Sequence, residues 1–155
     1  MNALRRRGHG FTLIEVLIVI VVIAVLASIV IPRLMGAGRQ AKESSLRAHL
    51  QELRNAISLF HAHTGLYPAL LSDIMSPATT PPANGVDESG TSAPIQAADY
   101  KGPYLTTADD LLPNNPITGG NVVGTDWLYS VSSPAVGEVH AASGVALDGS
   151  DLSTW

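Results

Sequence analysis

The chain has 155 residues, no cysteine and a formal net charge of −4. That is room for one modest domain, and it excludes a disulfide framework, a cysteine-ligated metal site and a lipid attached through cysteine. Charge is divided unevenly: residues 33–63 carry five Lys/Arg against two Asp/Glu, whereas residues 64–155 carry one base, Lys101, against ten acids, a balance that argues against broad binding of nucleic-acid phosphates.

In chain order, the first feature is RRRGHG at residues 5–10, followed by an apolar run at 11–31 in which only Thr12, Glu15 and Ser28 are polar. The 21 residues of that run reach roughly 30 Å as a helix, about the hydrocarbon thickness of a bilayer. Buried helices of soluble proteins are usually shorter and keep a polar face, so a membrane span is predicted. The run is too long for an ordinary secretory signal, whose apolar region covers about 7–15 residues, and no small-residue cleavage pattern follows it. Charge counting leaves its orientation tied, because Arg5, Arg6 and Arg7 on one side face Arg33, Arg39, Lys42 and Arg47 on the other. A lone carboxylate at the bilayer centre costs about 2.5–3.5 kcal/mol, so Glu15 requires either a partner or a place among the headgroups.

Pro32 lacks an N–H and deprives the Ser28 carbonyl of its helical partner. With Gly36 and Gly38 close behind, a soft, kinked section of a continuous helix is predicted; a simple break at the membrane surface is the alternative. Beyond Arg39 the residues Leu46, Leu50, Leu53, Ile57 and Phe60 repeat every three or four positions, one apolar stripe. The helix is predicted to end near Thr64, with Gly65 as left-handed cap and Pro68 beyond.

Residues 69–75, ALLSDIM, read as a short helix, and residues 76–96, rich in Pro, Ser, Thr and Gly, as a loop. DWLYSV and EVHAAS flank SSPAVG, a β-hairpin with Trp127 and Tyr129 on one face, and a third strand is expected near residues 145–147. So small a sheet needs the helix stripe to have a core at all. In ALDGSDLSTW, Asp148 and Asp151 flank a glycine and a serine; hard oxygen ligands of this kind suit calcium, with main-chain carbonyls and Asp126 completing the shell, although a solvated acidic turn has the same appearance. His61 and His63, two apart on a helix, do not face each other and suit the C-terminal dipole better than a metal. Asp109 and Asp110 read as a solvated acidic pair. No nucleophile elbow, phosphate-binding glycine loop or ordered Ser/His/Asp arrangement is present, and no enzyme is expected.

RRRGHG running into FTLIEV resembles the processing site of type IV pilins and type II secretion pseudopilins. The resemblance is close from Gly10 to Pro32 and looser beyond, where HTGLYP resembles the end of the long helix in major pseudopilins. It implies cleavage by a prepilin peptidase between Gly10 and Phe11, methylation of the Phe11 amino group, and assembly through Glu15, which pairs with the amino terminus of a neighbouring subunit, with Thr12 assisting and Pro32 at the family's helix-interrupting proline. It also implies calcium at Asp148 and Asp151 with Trp155 closing the chain, but only two residues separate these aspartates, fewer than the family's loop has.

The fold expected is α+β, a pilin fold: a cleaved leader at 1–10, the membrane-spanning half of a long helix at 11–31, its amphipathic stem at 32–64, and a loop-rich head at 65–155 with a variable loop at 76–96. The function implied is that of a structural subunit of a type II secretion pseudopilus. It would be a single-pass protein of the inner membrane with its head outside the cytoplasm, then part of a periplasmic or extracellular homo-oligomeric filament. Its partners would be the prepilin peptidase, an inner-membrane assembly platform and minor pseudopilins. A type IV pilus subunit, and a membrane-anchored binding module that never polymerises, are the alternatives. Acidic heads facing basic stems at Arg39, Lys42 and Arg47 supply a further expected filament contact.

Overall fold

A computed structural model describes residues 11–142, 144, 146–147 and 149–155, with the backbone alone at 32–35. The chain divides into two compact units, residues 1–39 and 40–155. One helix, α1 (Leu13–Thr64), belongs to both. It passes through Pro32, Gly36 and Gly38 with unbroken helical backbone, so the alternative of a break at the proline does not hold.

In the first unit, α1 is long and apolar enough to cross a membrane. From Phe11 to Ile31 every residue is exposed except the half-buried Ala27.

In the second unit the stripe is the wall of the core. Leu46, Leu50, Leu53, Ile57 and Phe60 are all at most 3 % exposed, and each such side chain removed from water contributes about 1.5–3 kcal/mol. They pack against Leu71, Ile74, Tyr100, Trp127, Val139 and Leu152, among others. The helix stops where the sequence predicts. Gly65 takes φ +70° and its N–H donates to the His61 carbonyl at 2.8 Å, a left-handed cap that a residue with a Cβ adopts at a cost.

Two small antiparallel sheets complete the unit. Strands β1 (Tyr67–Pro68), β2 (Asn84–Val86) and β3 (Ser92–Pro94) form one, with a 3-10 turn at Leu71–Met75 between the first two. The segment 76–96, read as loop chemistry, thus carries a hairpin. Its Asp87 carboxylate organises the turn by accepting from the Ser89 and Thr91 amides and the Ser89 hydroxyl. Strands β4 (Trp127–Tyr129) and β5 (Val139–Ala141) form the predicted hairpin in the register Trp127–Ala141, Leu128–His140, Tyr129–Val139. Trp127 is fully buried and Leu128 faces out, as a period of two requires. Where a third strand was expected, Ala146 and Leu147 enter a turn instead, closed by the Gly149 amide on the Ala146 carbonyl; Val145 lies outside the described residues.

Buried polar tips have partners. The Trp127 indole N–H donates to the Pro113 carbonyl at 2.8 Å and the Tyr129 hydroxyl to that of Pro68 at 2.7 Å. Tyr100 meets Phe60 and Tyr104 edge-on, and its hydroxyl reaches the Ser76 carbonyl at 2.7 Å. Burial, aided by the neighbouring Tyr104 and Asp73, pushes its pKa up to about 12.

Candidate functional site

The start of α1 is built by Thr12 and Glu15. The Glu15 amide donates to Thr12 Oγ1 at 3.3 Å, and Glu15 Oε2 accepts from the Thr12 amide at 3.0 Å and the Thr12 hydroxyl at 2.9 Å. This reciprocal capping box satisfies two main-chain donors that a helix N-terminus otherwise leaves unpaired. Sequence reasoning assigns Thr12 an assisting hydrogen bond to Glu15; the signal for the full reciprocal box was the Thr-x-x-Glu spacing itself. Among the described residues, Glu15 Oε1 takes no hydrogen bond and remains open to an incoming cation. Phe11, one residue before the cap, is 88 % exposed. Gly10, the other residue of the expected cleavage site, lies outside the described residues.

The same site therefore combines a fixed anion, an exposed Phe11 and an exposed apolar helix surface. A family profile described as "Prokaryotic N-terminal methylation motif" matches residues 5–31. The chain carries that methylation motif. The curated relatives bearing on it include type II secretion system core protein G of Aeromonas hydrophila, 39 % identical over 41 % of this chain and 45 % of the relative. The protein of the same name from Klebsiella pneumoniae is 34 % identical over 55 % of this chain and 64 % of the relative, and that from Escherichia coli (strain K12) is 35 % identical over 49 % and 54 %. The chain spans about half the length of the curated relatives it matches, and no solved structure matches it. The resemblance to the pilin-like proteins of type II secretion therefore holds, with the methylation motif seated on the capping box.

The remaining expected sites are distributed as follows. Lys42 and Arg39 are exposed on α1. Arg47 stacks its guanidinium over the Trp155 ring, 4.2 Å from the centroid. For calcium, Asp148 lies outside the described residues, and the Asp151 carboxylate caps the last 3-10 turn (Leu152–Thr154) by accepting from the Ser153 amide at 2.9 Å. Asp126 is buried beside Gly120, where a Cβ would run into its carboxylate, and accepts from the Val122 amide at 2.9 Å. Its position staples residues 115–126, together with the buried Asn115, whose side-chain amide donates to the Asp126 carbonyl. Among the described residues no group of three or more His, Asp and Glu converges to hold a metal ion. His61 stacks on Tyr67 and His63 lies 3.2 Å from the Tyr104 hydroxyl, packing roles as well as a place at the helix end.

Proposed function

We propose that this chain is a structural subunit of a type II secretion pseudopilus. The observation that carries the reading is the methylation motif lying on a capping box at the head of a helix whose apolar surface is exposed for about five turns. The likeness to core protein G supports the choice of system. A prepilin peptidase cuts between Gly10 and Phe11 and methylates the new terminus. The helix is held in the inner membrane with the head outside the cytoplasm, and an assembly platform with minor pseudopilins draws subunits into a homo-oligomeric filament.

The capping box gives Glu15 two simultaneous tasks. Oε2 holds its own helix start while Oε1 receives the methylated ammonium of a neighbouring Phe11. A subunit that enters out of register leaves two charges unpaired in lipid, which is costly enough to reject it. Pro32 with Gly36 and Gly38 supplies the section of helix easiest to unwind as the subunit leaves the membrane. The role is structural rather than catalytic.

Intact mass and N-terminal sequencing of protein from its native membranes test the reading. A chain beginning at N-methylated Phe11 is expected. A chain that retains Met1 in cells with an active peptidase overturns it. Long surface fibres at native expression would assign the subunit to a type IV pilus instead.

A further inference from the structure

Arg47, Leu50, Gln51, Arg54 and Trp155 line a cleft of about 390 Å³ in the second unit. Both arginines are held in place. Arg47 lies over the indole of Trp155, and Arg54 Nη2 donates to the Val139 carbonyl at 3.0 Å. A guanidinium stacked by its face keeps its in-plane N–H fork free for a carboxylate. Neither arginine has a carboxylate partner among the described residues. Leu50 lies between them but is buried, so the cleft is walled by the arginine stems and the Trp155 ring. Seven positions apart on one helix, the two Cα atoms stand about 10 Å apart along its axis.

The same unit offers a matching shape. Asp109, Asp110 and Leu111 form an exposed turn. Asp110 takes φ 53°, the one positive φ of a non-glycine residue among the described residues, in the left-handed region that aspartate visits more readily than most residues. Two adjacent exposed carboxylates complement two guanidinium forks that have no carboxylate of their own among the described residues. We propose that the Arg47–Arg54 cleft of one copy receives the Asp109–Asp110 turn of a second copy. The inference rests on the filament reading and gives the general attraction of acidic head for basic stem a specific seat. It assigns Trp155 the task of pre-organising Arg47.

Because the chain has no cysteine, cross-linking reads this contact without background. Full-length Gln51→Cys and a differently tagged Ala108→Cys chain, which keeps both carboxylates, are co-expressed with the assembly machinery, and filaments are imaged from the same cells. A mixed disulfide dimer on oxidation is expected. Filaments without that dimer overturn the cleft while leaving the pseudopilus reading intact; absence of filaments from the unmodified chain overturns that reading, and the cleft with it. A charge exchange supplies the second readout. Arg47→Glu should lower filament yield on the order of tenfold, and adding Asp109→Arg should restore most of it, as expected for a paired contact. Added salt should weaken the wild-type filament, since the pair is solvent-accessible. Failure of rescue in a folded double variant, or a flat salt response, counts against the contact.

Discussion

Glu43 Oε1 accepts a hydrogen bond from the Leu147 main-chain amide at 2.7 Å, joining positions 104 residues apart. Glu43 is only 8 % exposed, so the carboxylate is a structural group of the second unit and not part of a solvated stem face. Together with Arg47 on Trp155, it fastens the C-terminal segment to α1.

Removing that carboxylate leaves the part-buried Leu147 amide without its charged acceptor. Glu43→Ala is therefore expected to destabilise the head by about 1–3 kcal/mol. Faster proteolysis confined to the segment after β5 should accompany it. Thermal unfolding in detergent, with mapping of the first cleavage, checks both.

Along the stripe, Leu53→Ala should cost about 2–5 kcal/mol, because Leu53 is fully buried and its site cannot collapse freely. Leu59, on the same helix and 47 % exposed, should change stability by about 0.5 kcal/mol or less when made alanine. Denaturant melts of the two variants decide whether the stripe, and not helix propensity, holds the head to α1.

At Glu15 two roles are separable. Glutamine at this third helical position still completes a capping box, so Glu15→Gln should leave amide exchange at the start of α1 near wild type while abolishing filament assembly. Thr12→Ala should do the reverse in part, fraying the helix start at a cost of about 0.5–2 kcal/mol while retaining the charge. Equal effects of both changes on exchange would remove the distinction.

The head should fail in acid through its loop carboxylates. The Thr118 hydroxyl first, and the Val122 amide next, hold Asp126 below its ordinary value of 3.8. Asp151 is lowered by Ser153, through its amide first. A depressed carboxylate contributes stability that is present above the unfolded pKa and lost as pH falls through the folded one. Stability should accordingly fall below about pH 4, less steeply in Asp126→Asn. Asp73, raised by burial, opposes this trend. At the alkaline end, Tyr100 works in the other sense: its contribution is complete below pH 10 and is lost as pH rises through about 12. Melting temperature followed across pH measures both limbs.

How much of this was legible depended on the range of the interactions. The membrane run, the stripe from Leu46 to Phe60, the Gly65 cap and the Trp127–Tyr129 hairpin follow from local periodicity and turn chemistry, and all are present. Strands β2 and β3 were hidden because strands of three residues, Asn84–Val86 and Ser92–Pro94, carry too little alternation to register; β1 and the Asp87 turn define them. Glu43, Arg54 and Asn115 bond to main-chain groups that no side-chain pattern announces. The Thr12–Glu15 contact was legible as an assisting hydrogen bond, and its reciprocal form in the Thr-x-x-Glu spacing.

The position of the stripe also fixes how the head carries load. Leu46, Leu50, Leu53, Ala56, Ile57 and Phe60 are all buried along one side of a single helix. A pull applied along that helix strains these contacts in parallel, in shear, so the core resists as a whole and does not open one residue at a time. A strand drawn from the edge of a sheet would instead unzip. A head built this way stays folded while its helix is pulled.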